Sequence, residues 1–376
     1  MSSRLQKRIQ SEIAAAASDE QRALWLVKLA AYEARLGNTK KASGILREVK
    51  ELFGLRISAQ LISWIFLAEG IVDFHRDPMP KSIDRIQRAY WMSRAIGERE
   101  LRPLAAAWMA HMDLIRDRYT SMIDLAEEAY TTACGDDFAS LSRVSLVVAD
   151  AFNFAGDFSI ARTWYSKVRN YALEIGDEVM ISAMLHNIAA LQVASARMRR
   201  AFGHLDEEHV RRALMNVETT GNFDAGIGLI SLSSMVPLIR AQILSLCGEF
   251  SKALELFDEN AEFVNSDSMR RLRSNVFCDR AWCNANLGRG AVAGREISSA
   301  LDYLCESIES DDLAILHATV ANTMELIGLR KGVTFHRELA SRYWAEHTDT
   351  QKSLLQMLVN RTHGWEASRT AHLSIS

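Results

Sequence analysis

Proline is scarce in this sequence, which has only four prolines in 376 residues: Pro78, Pro80, Pro103 and Pro237. Proline interrupts both helices and central strands, so a chain with few such breakers can form long helices. Segments that alternate polar and β-branched residues, which are typical of half-buried strands, are nearly absent as well. The sequence therefore predicts an all-α protein.

An excess of positive charge is also missing, since the formal net charge is -3 at pH 7. A general nucleic-acid binder carries a clear basic excess, so nucleic acid is not an expected partner. The first twenty residues lack the apolar stretch of a signal peptide, and no run of about 18 or more apolar residues occurs anywhere. We therefore expect a cytoplasmic protein without a membrane partner.

The five cysteines are an odd number, and they are scattered through apolar helical segments. This pattern predicts buried, reduced thiols rather than a disulfide framework. Cys278 and Cys283 stand five residues apart without a second pair, and His204 and His209 in the segment HLDEEH have the same spacing. Helical metal ligands need a spacing of three or four residues, so we expect no metal site.

Turn residues recur at a nearly constant interval. Gly248, Gly288 and Gly328 are 40 residues apart, and each follows an apolar helical segment. Earlier turns at nearly the same interval are predicted at Gly37, Asp77, Asp117 and Gly156. The 92 residues between Gly156 and Gly248 leave room for one further repeat with an insertion. A glycine in the left-handed conformation ends a helix at low cost, so each turn predicts a helical hairpin.

Small residues occur at fixed distances from these turns. Seven residues before them stand Ala30, Gly70, Ala110, Ala149, Ala241, Ala281 and Ala321. Five residues after them stand Ala42, Ser82, Ala161, Ala253, Ala293 and Val333, with the larger Met122 at this position of the third repeat. Two helices of a hairpin pack closely only where small side chains meet at their crossing. The spacing therefore predicts tightly packed hairpins in one common register.

This pattern resembles the tetratricopeptide repeat in its longer variant of about 40 residues. The resemblance is carried by segments such as AGDFSIARTWYSKVRNYALEIGDE (155–178) and CGEFSKALELFDENAEF (247–263), and it extends over roughly residues 20 to 345. The long unit is similar to the sensor arrays of bacterial signalling proteins. The resemblance implies an α-solenoid of about eight hairpins that form a curved superhelix, and a concave face that binds peptides.

We expect four regions along the chain. Residues 1–19 form an N-terminal helix or frayed segment, and residues 20–345 form the repeat array, with an irregular fifth hairpin around Gly203. Residues 346–361 form an amphipathic capping helix, and residues 362–376 form a disordered tail.

No motif in the sequence predicts catalysis or a bound cofactor. The segment GNFDAGIG (221–228) lacks the preceding strand and the lysine of a phosphate-binding loop. A Gly-x-Ser-x-Gly elbow and a Cys/His nucleophile pair are absent too. Basic clusters at 197–200 and 270–273 have acidic neighbours, so exposed helix faces and a patch for an acidic partner both remain open.

The common register also predicts which residues line the concave groove, namely those three, six, ten and thirteen positions before each turn. The candidate partner-binding residues are Trp64, Phe74, His111, Arg143, Asp150, Asn153, Asn187, Gln242, Asn275, Trp282 and Asn322. Leu67, Ile71, Leu104 and Leu114 share these positions. An aromatic stripe is also typical of a helical core, so this alternative stays open for Trp64 and Phe74.

Two functions fit these features. The first is a non-enzymatic scaffold or adaptor that binds a protein or peptide in its groove. The second is a signalling regulator in which a bound peptide or small molecule controls a partner protein. Arg143 is the only cation among the candidate groove residues, so we expect it to contact a carboxylate of the partner.

Overall fold

The computed structural model describes residues 3–76, 80–204, 206–231, 234–266, 269–305 and 308–373. This part of the chain is helical and contains no β-strand. Its helices are α1 (Arg4–Ala15), α2 (Asp19–Leu36), α3 (Thr39–Phe53), α4 (Ala59–Phe74), α5 (Lys81–Ala95), α6 (Leu101–Ile115), α7 (Tyr119–Thr132), α8 (Phe138–Phe154), α9 (Phe158–Ile175), α10 (Glu178–Ala201), α11 (Glu207–Ile227), α12 (Met235–Leu246), α13 (Phe250–Glu259), α14 (Ala261–Val264), α15 (Arg273–Asn286), α16 (Gly290–Asp302), α17 (Ser310–Leu326), α18 (Val333–Thr362) and α19 (Trp365–Leu373).

These helices pack as hairpins of consecutive helices. The pairs are α2 with α3, α4 with α5, α6 with α7, α8 with α9, α12 with α13 and α15 with α16. Helices α10 and α11 form the fifth hairpin, in which Ala189, Val193 and Ala196 pack on the apolar side of α11. Helices α17 and α18 form the last one, where His317 contacts His336. The all-α repeat fold predicted from the sequence is confirmed.

The predicted turn register agrees with the backbone. Gly37, Asp117, Gly156, Gly248, Gly288 and Gly328 all have positive φ, between 56° and 98°. Asp117 is the one residue among them with a Cβ atom, and aspartate tolerates this conformation better than most residues do. The turn predicted at Asp77 lies outside the described residues.

The small residues of the register are buried where the helices of each hairpin meet. Ala30, Ala110, Ala149, Ala241, Ala281 and Ala321 are all 0% exposed. At Gly70 in α4, an added Cβ would stand 2.5 Å from Cγ1 of Ile86 and 3.2 Å from the carbonyl oxygen of Ser82, both in α5. A larger residue at this position would therefore push the two helices apart, as the spacing predicted.

The chain divides into two compact units. Unit 1 comprises residues 1–184, 224–231 and 353–376, and unit 2 comprises residues 185–223 and 232–352. In unit 1 the largest fully buried side chains include Tyr130, Phe152 and Trp365. In unit 2 one core gathers around Phe257 between α12, α13 and α15, and another joins α15, α16 and α17. Each unit therefore has an apolar core of its own.

The C-terminal segment differs from the sequence-based expectation. Helix α18 is continuous from Val333 to Thr362, although the pattern predicted a break near residue 345. Helix α19 follows where a disordered tail was predicted, and only residues 374–376 lie outside the described part of the chain. The physical reason is Trp365, which is 1% exposed and packs against Tyr130 and Trp164 with ring centroids 5.9 and 6.1 Å apart.

Helix α10 is long and apolar enough, by length and composition, to cross a membrane. It also carries Arg197, Arg199 and Arg200 in its last turns, and its alanine and valine side chains pack on α11 within unit 2. The core helix of a soluble repeat array passes the same test of length and composition.

Candidate ligand-binding cavity

A cavity of about 480 Å³ lies within unit 1. The first helices of the first four hairpins, α2, α4, α6 and α8, supply most of its lining, and we call them the inner helices. Helix α1, the α5–α6 and α7–α8 turns, the end of α9, the α9–α10 turn and the start of α10 complete the wall. A cavity of this size is typical of sites that enclose a small ligand or the end of a peptide.

The inner helices place aromatic and aliphatic side chains on the wall. Trp25 and Tyr32 come from α2, Trp64 from α4 and Trp108 from α6. The wall also contains Leu67, Ala68, Ile71 and Leu104. In α4, residues 64, 67, 68 and 71 are three or four positions apart, so they share one helix face. Aromatic side chains provide large contact areas and dominate binding hot spots, which makes this wall suited to apolar side chains of a ligand.

Arg143 of α8 lines the same cavity and is only 6% exposed. Its guanidinium carbon lies 3.8 Å from the centre of the Trp108 ring. Its Nε donates no hydrogen bond, and no ion pair within 4.0 Å involves this side chain in the described part of the chain. A buried charge without a counterion is costly, so an anionic group that entered the cavity would interact favourably with Arg143.

The pKa of Arg143 is consistent with this environment. Burial and, to a smaller extent, the positive charge of Arg35 lower this pKa to about 9, while the negative charges of Asp177 and Asp150 act in the opposite direction. The side chain still carries a proton at neutral pH, because the pKa remains above 7.

A second arginine in the cavity is already paired. Arg35 donates two hydrogen bonds to Asp177, from Nη1 to Oδ2 at 2.8 Å and from Nη2 to Oδ1 at 2.9 Å. Asp177 is itself 2% exposed and accepts a hydrogen bond from the backbone nitrogen of Met180 in the first turn of α10. This fork-shaped pair neutralises Arg35. Arg8 and Arg99 also line the cavity but are exposed, so Arg143 is the buried arginine of the lining that has no ion pair.

Lys28 and three carboxylates form another polar region of the wall. Lys28 lies over the Trp25 and Trp64 rings, with Nζ 4.5 and 4.6 Å from their centres, and forms an ion pair with Glu100. Asp137 caps the first turn of α8 through the backbone nitrogen of Ser140. Burial raises the pKa of Asp137 to about 6, although the hydrogen bonds from Ser140 oppose this effect. Asp136 is exposed beside it.

Helix α1 closes the cavity from another direction. Leu5, Arg8 and Ile9 contribute to the lining. The helix is held in place by three hydrogen bonds: Tyr32 Oη to Ser3 Oγ at 2.6 Å, Gln6 Nε2 to Glu33 Oε1 at 3.1 Å, and the backbone nitrogen of Leu5 to the carbonyl oxygen of Gly176 at 3.2 Å. It thus joins α2 to the α9–α10 turn within unit 1.

Of the candidate groove residues, Trp64 and Arg143 line the cavity, as do Leu67, Ile71 and Leu104. Phe74 and His111 lie behind the wall, in edge-to-face contact with each other and with Trp108 at centroid distances of 5.5 to 6.0 Å. Burial lowers the pKa of His111 to about 3, and the charge of Arg143 contributes to the shift. His111 is therefore neutral and supports the Trp108 ring.

Asp150 and Asn153 lie inside the fourth hairpin. Tyr165 of α9 donates a hydrogen bond to Asp150 Oδ1 at 2.7 Å, and Asn153 Nδ2 donates one to the Tyr165 hydroxyl at 3.2 Å. These contacts fasten α8 to α9. Neither residue is part of the cavity lining.

The remaining candidates belong to unit 2, where α10 itself engages several of them. Asn275 is 1% exposed and accepts a hydrogen bond from Arg197 at 3.1 Å, and Arg197 pairs with Asp279 at 2.9 Å. Gln242 donates to Asp279 at 3.3 Å, and Trp282 lies under the Arg200 guanidinium at 4.3 Å. Asn187 and Asn322 are half-buried on α10 and α17.

Two arginines of the basic cluster at 270–273 have partners within the chain. Arg271 pairs with Glu309 at 2.5 Å, and Arg273 donates hydrogen bonds to the carbonyl groups of 264–266. Cys278 and Cys283 are buried, and burial raises the pKa of both thiols. Among the described residues, no group of three His, Cys, Asp or Glu side chains is placed to hold a metal ion.

Several residues of the cavity did not follow from the register. One group lies on α2, whose groove positions were not among the candidates: Trp25, Lys28, Tyr32 and Arg35. The others are Ala68 and Trp108, which stand nine positions before the turns of their repeats. Position nine lies one helical turn from positions six and thirteen, so helical periodicity would have included it. The contribution of α1 and of Asp177 depends on tertiary packing and has no sequence signal.

Comparison with solved structures supports the fold. The structure is similar to a Rap protein in complex with competence and sporulation factor, with a TM-score of 0.54 and 13% identity over 93% of this chain and 92% of that chain. It is also similar to a signal transduction ATPase with numerous domains from Pyrococcus horikoshii that has a tetratricopeptide repeat sensor. That TM-score is 0.50, at 12% identity over 91% of this chain and 55% of the other. No protein-family model and no curated protein matches the sequence. At these identities the likeness shows the fold alone, and this chain is an all-α helical-repeat protein of the tetratricopeptide-like type.

Proposed function

We propose that this chain is a non-enzymatic peptide-binding scaffold of the cytoplasm, and that the cavity of unit 1 holds the bound segment. The observation that carries the proposal is the combination of a wall with three tryptophans and an enclosed, unpaired Arg143 on the inner helices. Apolar walls with a few placed polar groups are the usual composition of ligand sites. The Rap protein of similar fold, which was solved with competence and sporulation factor, is a further argument for a peptide ligand.

A variant that fills the cavity tests this proposal. Ala31 of α2 lines the cavity and is half-buried, so Ala31→Trp would occupy the space of a ligand without removing any existing contact. Ala345→Trp, at an exposed position of α18, is the matched control. Each protein would be purified from its own host under native conditions, and the peptides it retains would be released with acid and identified by mass spectrometry.

We expect the unmodified protein and Ala345→Trp to retain the same peptides, and Ala31→Trp to lose them by more than tenfold at a similar melting temperature. Retention of the same peptides by a folded Ala31→Trp would place the partner on another surface.

A ligand-responsive regulator is the second candidate, and the position of α1 favours it. This helix forms part of the wall and is fastened at its N-terminal end, so a ligand that replaces its contacts would release it. Hydrogen exchange of residues 4–15 with and without a retained peptide distinguishes the two functions. Faster exchange on binding supports a regulator, and unchanged exchange supports a passive scaffold.

A further inference from the structure

Arg143 indicates which chemical group of a ligand the cavity would bind. This inference rests on the proposed function. Arg143 is more than nine-tenths buried, and its Nε has no acceptor. Arginine side chains inside proteins are usually paired with carboxylates or donate hydrogen bonds to other acceptors. Arg35 and Arg197 of this chain are paired in this way, with Asp177 and Asp279. The missing partner of Arg143 is therefore expected to come from outside the chain.

From this we infer that Arg143 binds the terminal carboxylate of a short peptide, whose last side chains lie on the tryptophan-lined wall. A planar guanidinium presents parallel donors that match the two oxygens of a carboxylate. The guanidinium carbon lies over the Trp108 ring, 3.8 Å from its centre, and Nε has no acceptor within the chain and is available to the ligand.

A chain terminus fits the cavity better than an internal aspartate or glutamate does. The space is about 480 Å³ and is closed on one side by α1, which is tied to Tyr32 and Gly176. An internal side chain would need the peptide backbone both to enter and to leave past Arg143. A terminus needs only one entry, and the exposed carboxylate of Asp136 elsewhere in the lining would attract the amino end.

The experiment uses two pools of random five-residue peptides that differ only at the C-terminus, one with free carboxylates and one amidated. Each pool is incubated with the full-length protein, unbound peptide is removed by gel filtration, and retained peptides are quantified and sequenced by mass spectrometry. We expect at least tenfold more retention of the free-acid pool, which corresponds to about 1.4 kcal/mol.

Three variants assign this preference to one side chain. Arg143→Gln should reduce the ratio between the pools to less than twofold, and Arg143→Lys should give an intermediate ratio, because an ammonium keeps the charge without the fork. Arg102→Gln removes an arginine of α6 that pairs with Glu128 at 2.7 Å outside the cavity, and it should keep the full ratio. Arg143→Gln should fold normally, since it removes a buried unpaired charge, and a melting curve checks this point.

The outcomes separate the two proposals. Equal retention of both pools, lost in Ala31→Trp, would overturn the carboxylate assignment and keep peptide binding in the cavity. The same result with enrichment of Asp or Glu in the retained sequences would move the carboxylate to a side chain and overturn the assignment of the terminus. Retention of neither pool by the unmodified protein would overturn both proposals.

Discussion

At the scale of single residues, two glycines show separately how close packing and helix propensity affect stability. Gly70 and Gly44 both lie inside helices of the first two hairpins, but only Gly70 has neighbours within 4 Å of an added Cβ. A methyl group at Gly70 would meet the buried Ile86, and one at Gly44 would meet open space. The same substitution should therefore have opposite effects at the two positions.

We expect Gly70→Ala to lower the free energy of unfolding by roughly 1 to 2 kcal/mol, because overpacking exceeds the gain in helix propensity. Gly44→Ala should raise it by about 0.5 to 1 kcal/mol, because only the propensity changes. Urea unfolding of both variants measures the difference. Two changes of the same sign would show that the crossing of α4 and α5 tolerates a larger residue.

A second residue-scale prediction concerns the neutral histidine behind Trp108. The pKa of His111 is about 3 in the folded protein and about 6.5 in an unfolded chain. Between these values the unfolded state binds more protons, so the contribution to stability is complete above pH 6.5 and is lost as the pH falls. His75 has a similarly lowered pKa of about 3, with burial as the first cause and Arg143 as the second.

When the pH falls from 7.5 to 5.5, each of these two histidines should lower the free energy of unfolding by about 1.4 kcal/mol. His111→Phe should recover about that amount of the pH-dependent loss, measured by urea unfolding at both pH values, and His204→Phe on the surface is the control. A pH dependence that is the same in His111→Phe and the unmodified protein would contradict a neutral, enclosed His111.

At the scale of helices, the sequence predicted the hairpins well because their signals are local. A turn residue, a small residue seven positions before it and another five positions after it are all set by the contacts between two adjacent helices. The C-terminal helices were harder to predict, because α19 is held by Tyr130 and Trp164, which are more than 200 residues away in sequence. The segment around Trp365 has little helical periodicity of its own, so tertiary contacts determine its structure.

Trp365→Ala tests whether these contacts hold α19. Loss of a fully buried tryptophan usually costs about 3 to 5 kcal/mol, and here the loss should appear as local opening. We expect amide exchange of residues 365–373 to rise strongly, with little change in α8. Val359→Ala, at a side chain that is 45% exposed on α18, should change exchange very little. Slow exchange of residues 365–373 in Trp365→Ala would show that other contacts suffice.

At the scale of the molecule, the fold was predictable from the sequence and the site only in part. Seven turns in one register define a repeat array, and six of them are seen with positive φ. The cavity depends on α1, on the Arg35–Asp177 pair and on which groove positions remain open, and these features arise from packing over long sequence distances. In unit 2 several predicted groove residues contact Arg197 and Arg200 of the chain itself.

Thiol accessibility tests the fold over the whole chain. Cys134 and Cys247 are exposed, Cys305 is intermediate, and Cys278 and Cys283 are buried, so the sequence-based expectation of uniformly buried thiols does not hold. Burial also raises the pKa of Cys278 and Cys283, which reduces the fraction of each thiol in the reactive thiolate form.

With a maleimide at neutral pH we expect rapid labelling of Cys134 and Cys247, and labelling of Cys278 and Cys283 only after denaturation. Rapid labelling of Cys283 in the native protein would contradict the packing of α15.

The three tryptophans of the cavity also give the protein an intrinsic optical reporter. Trp25, Trp64 and Trp108 each lie beside a cation, Lys28 for the first two and Arg143 for the third. Indole emission responds to nearby charge and to water, and both change when a cavity is filled. A ligand that neutralises Arg143 and displaces solvent should therefore shift the fluorescence of the unlabelled protein. The chain can be screened for its ligands without any added dye.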